Sequence, residues 1–179
     1  MQTPDIQRNP HPKMRYEITI VIKDAPGPFD SAEGYISYEI INEKCAPFEK
    51  LAGIYRTPPS QHPSFPLTRI GDNEYKGIFY IDLLHDEDYY GLGVCHWKLS
   101  SVGVRLNVGG MFFTSYMDVG QIISGKPWAQ YFYRSDYSVD ARVGDAPLPG
   151  ILGTPSTDYL EKYPEKRFEI SMSAREDFE

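Results

Sequence analysis

The chain has 179 residues, of which 41% are hydrophobic and 14% aromatic, so it is long enough to form one domain with a substantial core. Its apolar runs are short, which disfavours a membrane-spanning helix of about 20 residues and disorder throughout. Eighteen Lys and Arg against 25 Asp and Glu give a net charge of −7, opposite in sign to a surface that binds nucleic acid.

Residues 1–13, MQTPDIQRNPHPK, contain three prolines and little that can be buried. This composition predicts a flexible polar leader before a single domain spanning residues 14–179. No secretory signal is visible in the leader. Its absence leaves two alternatives open, a protein without a signal or the mature form of an exported one.

Alternation of apolar and polar residues predicts strands from Arg15 onward, because side chains of a half-buried strand point alternately to its two faces. The strand starting at Arg15, for example, places Tyr16, Ile18, Ile20 and Ile22 on one face. Seven segments show strand character: Arg15–Lys23, Tyr35–Ile41, Tyr75–Leu84, Val94–Val108, Met111–Met117, Gln130–Tyr133 and Phe168–Ala174.

Three local features refine these strands. Gly77 lies in an inward-facing row, which indicates a bulge or a close backbone contact. The alternation changes parity around Ser100–Ser101, which indicates a bend or bulge. Gly109–Gly110 separates two β-rich runs and is typical of a tight hairpin turn.

Helical spacing is scarce. Pro47–Ala52, closed by Gly53, Asp118–Ser124 and Ser156–Tyr163 are predicted as short helices. Thr57–Arg69, with four prolines, and Asp145–Pro155 are predicted as long irregular loops. Together these elements predict a mainly β fold, either an antiparallel β-sandwich or a curved sheet, with two or three short helices in the connections.

Cys45 and Cys95 are the only cysteines, and their spacing matches no metal site. Two alternatives remain: a pair of buried free thiols, or a structural disulfide, which the irregular segment after Cys45 favours. A disulfide would persist only in an oxidising compartment.

The densest charged feature is the loop Asp86, Glu87, Asp88, Tyr89 and Tyr90, which we call the acidic loop. Between Asp72 and Tyr90 six acids and one base give a net charge of −5. Three consecutive acids must be solvated or paired, so the loop is expected at the surface. It is interpreted as a simple solvated turn, as a surface for a basic partner with Tyr89 and Tyr90 as aromatic anchors, or as an oxygen-rich calcium loop.

Signatures of catalysis are missing from the sequence. The four histidines, His11, His62, His85 and His96, show no zinc-binding spacing, and there is no nucleophile elbow or phosphate loop. Asp82 and Asp86 are a carboxylate pair of the kind that glycoside hydrolysis uses, but any acidic sequence supplies such pairs. We therefore expect no enzyme, no metal and no cofactor, with an unrecognised hydrolase as the third-ranked alternative.

The stretch from Tyr89 to Leu106, YYGLGVCHWKLSSVGVRL, resembles a motif of small exported lipoproteins of Gram-negative bacteria, in which a Gly-x-Gly-Val-Cys-x-Trp run begins a long strand. Gly93, Cys95 and Trp97 are its most specific residues. Some of these proteins are similar to immunity partners of type VI secretion effectors. The resemblance implies a periplasmic protein that neutralises a toxin by binding it. The resemblance also implies a lipid anchor on the full-length form as its only membrane contact. The lipid-bearing cysteine of such lipoproteins has no counterpart in this chain.

The sequence therefore predicts an immunity or inhibitor protein that occludes a toxin's active site or binding surface through the acidic loop. The alternative is a β-sandwich that binds calcium, a lipid or a carbohydrate.

Overall fold

The computed structural model describes residues 4–138 and 150–178, which form eleven strands and two α-helices. The strands are β1 (Arg15–Lys23), β2 (Ser31–Ile40), β3 (Phe48–Glu49), β4 (Ile54–Tyr55), β5 (Ser64–Gly71), β6 (Glu74–Tyr80), β7 (Trp97–Val108), β8 (Met111–Asp118), β9 (Trp128–Tyr133), β10 (Ile151–Leu152) and β11 (Arg167–Glu176). The helices are α1 (Val119–Ser124) and α2 (Asp158–Lys162).

One sheet of nine strands dominates the fold, in the order β10-β8-β7-β2-β5-β6-β1-β11-β9, while β3 and β4 form a separate hairpin. Neighbouring strands are antiparallel except β10, which runs parallel to β8. The sheet curves nearly into a barrel, because residues beyond β10 also pair with β9 at the far edge. The predicted mainly β fold with a curved sheet and short helices is confirmed.

The core fills the inside of this barrel. Strand β11 alternates between buried and part-exposed residues along most of its length, and its Met172 lies opposite Ile20 of β1. Three aromatic rings from different strands pack on one another, Phe113, Phe132 and Phe168, with ring centroids 5.1–5.5 Å apart. The period-two pattern of the sequence thus becomes one continuous apolar interior.

Helix α1 covers part of the core at the end of β8. The Asp118 carboxylate accepts a hydrogen bond from the Gln121 N–H, and the Gln121 side chain accepts one from the Asp118 N–H, which forms a capping box. Gly125 ends the helix with a positive φ of 63°. Ile122 is fully buried and Val119 packs against the same core, so the capping residues set the ends of this predicted helix and these two side chains attach it to the barrel.

Gln130 joins the two edges of the sheet where β9 meets β8, a junction that we call the seam. Its Oε1 accepts hydrogen bonds from the Ser115 hydroxyl and the Tyr116 N–H of β8, both at 2.8 Å. Its Nε2 donates to the Gly153 carbonyl at 3.1 Å, and the Gln130 side chain is buried. Backbone bonds between Tyr131 and Thr154 complete the seam. One amide side chain therefore supplies much of the polar pairing between β8 and β9.

Two turn and bulge predictions are confirmed. The register between β2 and β7 shifts at Ser37, opposite the Ser100–Ser101 step. Gly109 and Gly110 both have positive φ, and Val108 pairs with Met111 across their turn.

Two predicted elements are wrong. Pro47–Ala52 is not a helix, because Phe48–Glu49 pairs with Ile54–Tyr55 as a hairpin. Thr57–Arg69 is not irregular throughout, because β5 begins at Ser64. Pro66, which lacks an N–H, lies where the pairing of β5 passes from β2 to β6, so the strand tolerates it.

Further segments differ in extent from their predictions: the strand predicted as Val94–Val108 begins at Trp97, and the helix predicted as Ser156–Tyr163 spans Asp158–Lys162. The strand predicted as Tyr75–Leu84 ends at Tyr80. Of the predicted loop Asp145–Pro155, residues 145–149 lie outside the described residues, and Ile151–Leu152 forms β10.

The N-terminal segment runs alongside residues 82–85. The Asn9 N–H donates to the Leu83 carbonyl, and the His85 N–H donates to the Gln7 carbonyl. The Asp82 carboxylate accepts hydrogen bonds from the N–H groups of Lys13 and Met14, both at 2.9 Å. Gln7, Asn9 and Lys13, which belong to the segment assigned to a leader, are therefore hydrogen-bonded to the chain that precedes the acidic loop.

The Phe65 ring occupies space that two glycines leave open. A Cβ atom at Gly34 would lie 2.3 Å from this ring, and one at Gly77 would lie 2.8 Å from it. Gly77 thus shows neither the bulge nor the close backbone contact predicted from the sequence, because its pairing is regular and the atoms packed against it belong to the Phe65 and Leu67 side chains.

We expect the Gly34→Ala substitution to lower the free energy of unfolding by about 1–3 kcal/mol, because the added methyl group overpacks the Phe65 site. Urea denaturation measures the change. Gly71→Ala is the control, since a Cβ there would meet only Glu74 at 3.5 Å. Adding Phe65→Leu to Gly34→Ala should restore part of the loss; equal stability of Gly34→Ala and wild type would contradict the packing argument.

Candidate functional site

A disulfide holds two loops together at one end of the barrel, where β2 ends at Ile40 and β7 begins at Trp97; we call this the disulfide end. Cys45 and Cys95 are paired, with their Cα atoms 5.2 Å apart, and both are buried. Ile40, Tyr89 and Tyr90 pack around the bond. Of the two alternatives for the cysteines, the structure has the disulfide.

Asp86 fixes the start of β7. Its carboxylate accepts hydrogen bonds from the Trp97 N–H and from the His96 ring, both at 2.8 Å. Because both oxygens are engaged, this acid holds the loop to the strand and has less freedom to contact a partner. All three consecutive acids are exposed, and Asp86 differs from Glu87 and Asp88 in that its carboxylate is tied to the start of β7.

The remaining loop residues are ordered by backbone contacts. The Asp88 carboxylate accepts a hydrogen bond from the Leu92 N–H at 3.0 Å. The Cys95 N–H donates to the Glu87 carbonyl at 2.9 Å, which ties the loop to the disulfide. Glu87 and Asp88 are both exposed. The loop thus presents two carboxylates on a backbone that is already fixed.

Tyr89 lies beneath the loop and supports it. Its hydroxyl donates to the His85 carbonyl at 2.9 Å and accepts from the Trp97 indole N–H at 3.0 Å. Burial raises the pKa of the Tyr89 hydroxyl; the Trp97 hydrogen bond opposes this, and the carboxylates of Glu87 and Asp86 add to it. The ring is half-buried, so it positions the acids and offers a partner only part of its surface.

Tyr90 packs on the disulfide and lines an open groove. Burial raises the pKa of its hydroxyl. The groove has a volume of about 700 Å³, and the side chains of Phe48, Leu51 and Pro59 form its other walls. Tyr90 therefore connects the acidic loop to the neighbouring hairpin.

The hairpin itself is a feature that sequence reasoning missed. Residues Pro47–Arg56, which we call the apolar hairpin, carry exposed Phe48, Leu51 and Ile54. Gly53, with φ of 67°, supports its turn. The signal in the sequence is Gly53 between two short runs, one with Phe48 and the other with Tyr55. In the structure the rings of these two residues lie 5.0 Å apart.

The acids considered for glycoside hydrolysis serve separate structural roles. Asp82 binds the backbone of Lys13 and Met14, whereas Asp86 binds Trp97 and His96.

Within residues 4–138 and 150–178, no three His, Cys, Asp or Glu side chains are grouped so as to hold a metal ion. In the same part of the chain, no helix has the length and apolar character needed to cross a bilayer.

Protein-family models, curated proteins and solved structures give no significant match to this chain. The arrangement at the disulfide end must therefore be interpreted from its own geometry: a fixed acidic loop, an apolar hairpin and a groove between them.

Proposed function

We propose that this chain binds and neutralises a secreted bacterial toxin by covering the toxin's active site or a binding surface. The observation that carries the proposal is the ordered acidic loop, in which Asp86, Asp88 and Tyr89 are all hydrogen-bonded within the chain. The proposed activity is binding and involves no turnover of a substrate.

A contact loop that is already ordered in the free protein favours tight association. A loop that is flexible in the free protein loses conformational entropy when it binds, whereas a fixed loop has already lost it during folding. The Glu87–Cys95 backbone contact ties this loop to Cys95, which the disulfide in turn ties to Cys45. These contacts are what an inhibitor's contact loop needs.

Charge supplies the second part of the argument. Glu87 and Asp88 are exposed on a chain with a net charge of −7, so a basic toxin surface would be attracted over a distance of about one Debye length. Such steering raises the association rate more than it slows dissociation. A positively charged cleft in the toxin is therefore the partner surface that we propose.

The disulfide supports a periplasmic location, since such bonds persist in oxidising compartments. The resemblance of residues 89–106 to type VI immunity lipoproteins agrees with this location. We also propose that a lipid anchor on the full-length protein is its only contact with a membrane.

We expect the double substitution Glu87→Gln and Asp88→Asn to slow association with the toxin about tenfold at low salt and to flatten its salt dependence. Both new side chains keep a hydrogen-bond acceptor, so the Asp88 contact with the Leu92 N–H can be retained. Asp86 is left intact because its loss would remove the contact between the acidic loop and the start of β7. The measurement is surface plasmon resonance with the secreted protein encoded beside this chain's gene, at two ionic strengths.

The matched control is Glu161→Gln with Glu165→Gln, which removes two exposed carboxylates at α2 and the turn after it, away from the disulfide end. This control should keep wild-type kinetics apart from a small change due to net charge. Equal association rates for the acidic-loop variant and the control would refute the role of the acidic loop. Failure of wild type to bind the toxin would refute the proposed function.

A second candidate is ligand binding on the outer face of the barrel. The hydroxyl end of the Tyr35 ring packs against Gly103, where a Cβ would be 2.4 Å from it, and Arg105 lies 5.9 Å from the Tyr35 ring centroid. Together with His62, whose Nδ1 lies 3.0 Å from the Ser37 hydroxyl, they line a cleft of about 470 Å³. An aromatic face beside polar groups suits a carbohydrate, so glycan binding without toxin binding would favour this candidate.

A further inference from the structure

Exposed apolar side chains are concentrated on the two segments that the disulfide joins. Single exposed apolar residues are normal on a surface, but a group of them marks an interaction site. Six of the large exposed hydrophobic residues lie on these segments: Ile41, Phe48, Leu51, Ile54, Leu92 and Val94. The disulfide end therefore has an apolar surface beside its acidic one.

The apolar hairpin presents Leu51 on a rigid support. The Arg56 N–H donates to the Pro47 carbonyl and the Gly53 N–H donates to the Glu49 carbonyl, both at 2.8 Å. Glu49 and Arg56 also form an ion pair. Leu51 is 99% exposed at the turn, so folding leaves its whole apolar surface available for a partner.

The charges around the groove indicate what kind of partner fits. Glu49 and Arg56 pair with one another, which leaves Lys50 as the hairpin's remaining charge. Tyr90 lines the other side of the groove, and the exposed carboxylates of Glu87 and Asp88 come shortly before it in the chain. A complementary surface has an apolar centre with basic groups on the side of the acidic loop.

We propose that Leu51 at the tip of the apolar hairpin inserts into an apolar pocket of the toxin, and that basic residues on the rim of that pocket face Glu87 and Asp88. This inference rests on the proposed function and adds to it the anchor that slows dissociation. An anionic membrane is the less favoured occupant, because its surface charge has the same sign as the two carboxylates.

The test compares Leu51→Ser with Ile70→Ser, a matched loss of an exposed aliphatic side chain at the opposite end of the barrel. Binding to the secreted protein encoded beside this chain's gene is measured by surface plasmon resonance. A central anchor typically contributes at least about 2 kcal/mol, so Leu51→Ser should dissociate about 30-fold faster. Its association rate and salt dependence should stay within twofold of wild type, and Ile70→Ser should match wild type throughout.

Thermal unfolding of both variants should match wild type, because each side chain is exposed. If wild type binds the toxin and Leu51→Ser dissociates at the wild-type rate, the hairpin anchor is refuted while the proposed function stands. If wild type does not bind, both are refuted. Binding to phosphatidylcholine–phosphatidylglycerol vesicles that Leu51→Ser abolishes would also overturn the assignment of a protein partner.

Discussion

Replacing Gln130 with leucine is expected to lower the free energy of unfolding by about 3–5 kcal/mol. The substitution keeps most of the side-chain volume but removes the partners of the Ser115 hydroxyl, the Tyr116 N–H and the Gly153 carbonyl. Each buried polar group left without a partner costs about 1–3 kcal/mol. Urea denaturation followed by circular dichroism would measure the difference, and the melting temperature should fall by about 10 °C.

Gln7→Leu is the matched control, since Gln7 is exposed and its side chain bonds only the nearby Asp5 carboxylate. Its stability should stay within about 0.5 kcal/mol of wild type. A Gln130→Leu variant as stable as this control would show that the seam between β8 and β9 does not depend on the amide.

Removal of the disulfide is expected to have an effect of similar size. The bond closes a loop between residues 50 positions apart, and in the chain-entropy model its loss costs about 4 kcal/mol. We expect the Cys45→Ala, Cys95→Ala variant to unfold at a lower urea concentration than wild type. Amide hydrogen exchange should rise first in residues 41–63 and 86–96, which the disulfide links to one another.

Treatment of wild type and of the alanine variant with a reductant is the control for this prediction. Wild type treated with reductant should approach the stability of the alanine variant, and the variant itself should not respond. If reduction leaves the wild-type urea midpoint unchanged, the disulfide contributes nothing to stability and the proposed fixed loop loses its main support.

Strands with an uninterrupted alternation were predictable from sequence. In β1 and β11 every second side chain is buried, because one face of each strand meets the core and the other meets solvent. The capping of α1 is equally local, since Asp118 and Gln121 are three residues apart. Where local chemistry decides the structure, the prediction and the structure agree.

The apolar hairpin was mispredicted because its pattern is ambiguous. Phe48, Leu51 and Ala52 have the three- and four-residue spacing of a helix, but a segment of six residues is too short for this spacing to decide. Pairing of Phe48 with Tyr55 and the fixed base at Cys45 decide in favour of the hairpin. Both contacts reach beyond the predicted helix.

The seam and the roles of the acids in the acidic loop could not be predicted from the sequence either. Gln130 was assigned to a strand, but its three partners lie 14–23 residues away along the chain. Asp86 could be recognised as part of an acidic loop, whereas its contact with the start of β7 depends on how the loop returns to Trp97. Sequence located the charge of the candidate site, and only the fold shows which of its carboxylates is tied to β7.

The pairing of β1 with β11 has a consequence for biosynthesis. Tyr16 lies opposite Glu176, so β1 cannot complete this pairing until a residue 160 positions further along the chain has been translated. Until β11 emerges, β1 and β9 both lack the neighbour that lies between them in the finished sheet. The barrel is therefore completed only after β11 has been synthesised, and a chaperone has time to engage the unpaired strands before then.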